Sequence, residues 1–316
     1  MSYEQLMRHA ADIRDRAAIE AIREQRLPPY DRTGNPRTAD ERAGALTASR
    51  QKVLAQGLAD IPSLFQPFAE MPSPDAFAGP RNRADGAAAA LATGTQSTSP
   101  LDGTGYPVSL AYSEIQDVRT VLARWHGPAA NEFRTNFLTP FPERLTNQFM
   151  IGLLLRGALD AEREIWARAR TDIDQIAHGT LHALDALGDC TKFEWTMTFT
   201  VLASVATVAA LPLGVTAFGL TITLVGASSQ VVAAGAPDDP PRTEYSGRTV
   251  NGVLDNMRDA IARVTSAIND QESRIADALS AGLAAVRAER NKFVAPRPHL
   301  VGAGRTGIRD ELGGAF

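Results

Sequence analysis

His178 and His182 stand four residues apart, a spacing that would set both imidazoles on one face of a helix, with Asp185 a turn further on. That is the layout of a two-histidine metal pair. The chemistry of a zinc hydrolase would also need a glutamate directly after the first histidine, and Gly179 occupies that place. No third ligand is evident, so the pair reads as two solvated histidines and the chain as holding no metal and no cofactor. His9, His126 and His299 stand isolated, and Ser109, Ser204 and Ser266 have no histidine arranged to activate them. The glycines of Val301-Gly-Ala-Gly-Arg305 lie in a tail with no strand before them, which is the wrong context for a phosphate-binding loop. These residues predict a protein that is not an enzyme, with no catalytic residues and no small-molecule substrate.

Composition narrows the class further. The 316 residues carry a formal charge of -4, with acidic and basic side chains interspersed, so the concentrated basic face of a nucleic-acid binder is missing. A hydrophobic content of 44% is enough for a substantial core. The single cysteine, Cys190, excludes an internal disulfide framework, and its type suits a small packed side chain. The first residues, Met1-Ser-Tyr-Glu-Gln-Leu-Met-Arg-His9, mix acid and base where a Sec signal needs a basic then apolar run. Localisation is therefore expected to be secreted or cell-envelope associated without a Sec signal, or cytoplasmic before export.

The elements that would carry these residues are helices. Leu6, Ile13, Ile19 and Ile22 predict an N-terminal helix with a thin apolar stripe, ending at Pro28-Pro29, and a second helix is expected from Thr38 to about Asp60. Residues 61–106, rich in Pro, Gly and Ser, read as a connector with at most one short helix near Asn82 to Ala92. From 107 to 295 a long-helix bundle is predicted, and the tail 296–316 reads as mobile. Within the bundle, Leu155, Leu159, Glu162, Trp166, Ala169, Ile173, Ile176, Thr180, Ala183 and Leu187 form one seam at alternating spacings of four and three. Val250, Leu254, Met257, Ile261, Val264, Ile268, Gln271 and Ile275 form a cleaner one, with a stutter through Leu279 and Leu283 to Val286. Seams this long need partners, and the two helices, each about 65 Å long, are the natural antiparallel pair. The fold class expected is all-α: an elongated bundle of long antiparallel amphipathic helices. Charged stretches such as Asp160-Ala-Glu-Arg-Glu164 read as solvated faces, each acid–base pair contributing about 0.2–0.5 kcal/mol.

Between Glu194 and Asp238 no residue carries a charge. The run from Trp195 to Pro237 divides at Leu211-Pro-Leu-Gly214, which predicts a hairpin with its tip at Pro212. Length favours two helical arms, each near the minimum that crosses a bilayer, while the density of Thr and β-branched residues leaves a β-hairpin tongue open. Core burial and membrane insertion also both stay open. For insertion, Val205, Leu211, Pro212, Gly214, Leu220 and Val225 would form the apolar hairpin, since no ion need cross the apolar layer. A hairpin between two long helices is similar to α-helical pore-forming toxins in arrangement only, without a shared motif.

Trp125-His126-Gly127 follows an apolar-periodic stretch, Leu110, Ile115, Val118, Val121 and Leu122, and precedes Pro128, Ala129, Ala130 and Phe133. Gly ends one helix and lets the chain reverse, and Pro128 opens the next. Over residues 107–187 this resembles the WXG (ESAT-like) family of helical hairpins exported by type VII (ESX) secretion systems. The resemblance implies that Trp125, Gly127 and Phe133 form a packing motif, and that the chain works by helix packing with a helical partner or with itself. Two features depart from the family. The motif lies more than a hundred residues into the chain, and no tyrosine is followed four residues later by the acidic residue of the usual export signal. The signal would then belong to a partner hairpin. A lipid membrane is the other partner class these readings allow.

Overall fold

The computed structural model describes residues 3–24, 38, 58–94, 96–188, 193–201, 207–212, 219–224 and 241–296. The helix expected up to Asp60 falls largely outside them, as do Cys190, Val205, Gly214, Val225 and the tail beyond 296. The described residues are mostly helical, with two small antiparallel ladders. In chain order the elements are α1 (Tyr3–Glu24), α2 (Ile61–Ala69), α3 (Ala78–Leu91), α4 (Leu110–Leu122), α5 (Pro128–Phe133), α6 (Phe141–Gly188), β1 (Phe193–Thr198), β2 (Thr207–Pro212), β3 (Gly219–Leu224), β4 (Arg242–Gly247) and α7 (Val250–Ala288). They divide into two compact units. The first comprises 1–74, 164–205 and 235–271, the second 75–163, 206–234 and 272–316, so that α6 and α7 each contribute to both.

Along α7 the residues its spacing predicts are buried, Val250, Leu254, Met257, Ile261, Val264, Ile268 and Gln271 in the first unit and Ile275 in the second. The C-terminal part of α6 does the same from Ala169 through Ile173, Ile176, Thr180 and Ala183. Thr180 is tolerated there because its hydroxyl donates to the Ile176 carbonyl at 2.7 Å, satisfying it within the helix. On α1 the buried stripe is Leu6, Ala10, Ile13 and Ala17, and Ile19 is exposed, so the alanines rather than the next large residues face inward. Small side chains let a helix axis come close to its neighbour. Ile61, Phe65 and Phe68 on α2 are likewise buried.

The second unit corrects the connector. It holds α3, and α2 precedes it, where one short helix was expected for the whole stretch. Pro62 sits in the first turn of α2, where a missing N–H costs nothing, and the spacing of Ile61, Phe65 and Phe68 overrides the proline-rich composition. Ala88 and Ala92, on α3 and just past it, join Phe149, Met150, Leu153 and Leu154 of α6 in one buried cluster. The seam of α6 is therefore shifted in this part. Leu154, Ala158 and Ala161 are buried where Leu155, Leu159 and Glu162 were expected, and Leu155 is exposed; the shift runs on into the first unit, where Ile165 is buried in place of Trp166. The expected stripe is apolar but for Glu162, and close approach favours the other: a Cβ on Gly282 of α7 would stand 2.7 Å from Leu154. Beyond α7, the carbonyls of Asn291 and Lys292 accept from Arg144 at 2.9 Å and Asn147 at 3.0 Å, satisfying groups that the helix end leaves open.

Candidate functional site

The described residues of the apolar segment lie mostly in strands. β1 pairs antiparallel with β4, Trp195 opposite Tyr245, and β2 pairs with β3, Leu211 opposite Leu220 and Pro212 opposite Gly219. The helical arms that length favoured are replaced by ladders because Thr and Val, stiff at χ1, fit a pleated surface better than a helix. Leu211 and Pro212 end β2, so the tip expected at Pro212 falls in a strand, and Leu213 and Gly214 lie outside the described residues. Pro at a strand end loses no ladder hydrogen bond. Among the described residues, no helix is long and apolar enough to cross a membrane.

Within the first unit, the β1–β4 ladder is tied to both long helices. Asp172 of α6 is 0% exposed and accepts from the Thr200 amide at 3.0 Å, the Thr200 hydroxyl at 2.7 Å and the Val201 amide at 2.9 Å. Burial pushes its carboxyl above the usual carboxylate range, partly offset by these three donors and by Arg168. Arg168 itself donates to the Thr200 carbonyl at 3.3 Å. On the other strand, the Tyr245 hydroxyl donates to Asp259 of α7 at 3.0 Å, and Asn256 donates to the Ser246 carbonyl at 3.0 Å. Burial and that carboxylate raise the Tyr245 phenol, which keeps the proton it donates to Asp259. Trp195 lies 5.1 Å from the Tyr245 ring and covers Gly179 of α6. Sequence reasoning missed Asp172, Gly179, Tyr245 and Asp259. A glycine in the middle of a long helix was the one available signal, since it costs about 1 kcal/mol relative to alanine there.

The Trp-X-Gly elbow lies in the second unit. After α4 the Trp125 amide bonds back to Leu122 at 3.1 Å, closing the helix end. Gly127 adopts φ +112°, a conformation that side chains rarely tolerate, and Pro128 opens α5. The Trp125 ring meets Phe133 at 5.8 Å, and Phe133, Phe137 and Phe141 continue as a ladder at 5.1 and 5.4 Å. Arg134 donates to the Trp125 carbonyl. Trp125, Gly127 and Phe133 thus come together in one turn. Trp125 stays 39% exposed, packing on its own elbow. Among its described side chains α4 buries none, and Leu110, Val118 and Val121 are exposed. After a π-helical turn at Arg134–Leu138, the chain breaks at Thr139-Pro140 and restarts as α6, as the two prolines require.

The histidines regroup. Asp185 pairs with Arg16 of α1, and His182 is exposed. His178 instead meets His9, ring centroids 4.5 Å apart and edge to face, with Asp174 at 3.5 Å. His9 is therefore not isolated. Comparison with family models, curated proteins and solved structures yields no match to this chain.

Proposed function

We propose that the chain is a non-enzymatic, type VII secretion-associated helical protein of the Trp-X-Gly type, exported or acting in the cell envelope through helix packing with a helical partner or a second copy. The observation that carries the reading is the elbow: a glycine at φ +112°, Pro128 opening the next helix, and Trp125 against Phe133. It stands beside a helix, α4, on which Leu110, Val118 and Val121 are uncovered. Such a stripe is where a second helix would bury area. The elongated antiparallel bundle belongs to the same reading. It is supported by Arg144 reaching Asn291, just past α7, while Leu154 abuts Gly282 on it, so residue numbers fall on one side as they rise on the other. Export of the full chain is expected to stop in cells lacking the ESX ATPase. Trp125→Ala with Val121→Asp should lower export and recovery with a co-expressed small helical hairpin by at least tenfold. Secretion that continues without the machinery overturns the proposal.

A second reading rests on the β2–β3 ladder, which lies in a segment with no charge between Glu194 and Asp238. A two-stranded ladder is marginal alone in water, and its open edges are costly in a bilayer. Membrane deployment would therefore join edges from several copies or convert the segment to helices. Leakage of anionic liposomes by the full chain should be abolished by Leu220→Asp. Wild-type protein inert toward liposomes at neutral and acidic pH removes this reading.

A further inference from the structure

We infer that His9, Asp174 and His178 form a binding site for a divalent transition-metal ion of the zinc type, clamping α1 to α6. Each residue offers one ligand atom, and the three atoms lie within 4.8 Å of one another. His178 Nε2 stands 3.5 Å from Asp174 Oδ1. Two donors on one tetrahedral zinc, with bonds of about 2.1 Å, stand about 3.4 Å apart, so this pair needs almost no movement. The spacing of four residues between Asp174 and His178 puts both on one turn of α6, and His9 closes the set from α1.

The ligand chemistry selects the ion. Two imidazoles and a carboxylate suit zinc, nickel or copper and leave a position for water, whereas calcium and magnesium prefer all-oxygen sets. A second observation points the same way. His9 Nδ1 is buried and has no hydrogen-bond partner, and a buried polar nitrogen without a partner costs free energy that a bond would recover. The edge-to-face ring contact holds the two imidazoles together without a hydrogen bond between them being required. Because the ligands come from two helices far apart in the chain, binding stabilises the docked N-terminal helix by mass action.

The test uses the untagged full chain, stripped with EDTA and titrated with zinc chloride by calorimetry. One equivalent is expected to bind, and His9→Gln and His178→Gln should each weaken affinity at least tenfold. His182→Gln should leave it unchanged. Thermal unfolding of wild type should shift up by roughly 5–10 °C at zinc a hundredfold above Kd. Cobalt(II) gives a readout independent of any variant: four-coordinate visible bands are expected with the wild type. A cobalt spectrum equal to that of the aqueous ion overturns the inference. So does affinity lost on His182→Gln and kept on His9→Gln, because it would indicate an exposed histidine pair on α6 alone.

Discussion

Arg156→Leu should destabilise the protein by about 3 kcal/mol, the low end of what breaking a buried ion pair costs, because its partners keep some contact with water. Arg156 is 4% exposed on α6. It donates to the Tyr106 hydroxyl at 2.8 Å and to Asp102, and it lies 3.2 Å from Asp85 and 3.5 Å from Asp160. Arg81 bridges the same two carboxylates, at 2.9 Å to Asp85 and 2.6 Å to Asp160. Two guanidinium groups therefore hold three carboxylates, and removing the buried one leaves Arg81 on Asp85 and Asp160 and takes the guanidinium away from Asp102. Leucine fills the volume but returns none of the hydrogen bonds. Lysine should fall between, since one ammonium cannot reproduce the guanidinium fork. The Tyr106 ring, edge-on to Phe149 at 5.4 Å, would keep only the bond its hydroxyl donates to Asp85 at 2.8 Å.

The pH dependence of the same network has a defined sign. Burial alone would raise the Asp102 carboxyl, but hydrogen bonds from Thr104 and Arg156 outweigh it and hold it at about 2 against an ordinary 3.8. A depressed carboxylate contributes stability that is present above pH 3.8 and lost as pH falls through about 2. Arg156→Leu removes part of that depression, so the gap between wild type and variant should narrow from pH 4 to pH 2. Urea midpoints at pH 7 and pH 2.5 check both statements. An unchanged midpoint at pH 7 would mean that the network contributes nothing.

Gly179→Leu should cost about 3 kcal/mol, the upper range for overpacking a filled site, and should release Trp195 from α6. A Cβ at Gly179 would stand 2.5–2.9 Å from atoms of the Trp195 ring, closer than any real contact. Even Gly179→Ala, which gains about 1 kcal/mol of helix propensity, should be neutral or destabilising, because the ring must shift. In the double variant with Trp195→Ala most of the added loss should vanish, giving a coupling of at least about 1 kcal/mol in a double-mutant cycle. Gly179→Ala more stable than wild type by the full propensity gain would show that the ring does not rest there. Undocking the ladder by this route also separates its two attachments, since Asp172 still accepts from Thr200 and Val201.

Much of the helical organisation was legible along the chain because its signals are local. The spacing of Val250 through Ile275 repeats within a few residues, so it marks the buried face of α7 whatever packs on it. The Trp125 elbow is similar: Gly127 supplies a conformation other residues avoid, and Pro128 a fixed φ, so the turn is visible in two adjacent residues. The charged stretch at Asp160 was legible only as surface, because Arg81, the partner that recruits it, lies in another helix. Where two apolar stripes lie side by side, as at Leu154 and Leu155, periodicity allows either, and the stripe bearing small residues became the buried one only because other helices approach it closely.

By itself, then, the sequence determined that the chain is mostly helical, where α6 and α7 run, where the elbow turns, and that the stretch between Glu194 and Asp238 carries no charge. Those properties follow from side-chain shape, periodicity and local backbone sterics. It took the assembled fold to set that described parts of the uncharged stretch pair in ladders, that Asp172 and Tyr245 anchor the β1–β4 one, that Arg156 gathers carboxylates from three segments, and that His9 meets His178. Each depends on a partner distant in the chain, and burial, which gives a polar group its cost and its need for a partner, exists only once those segments have met.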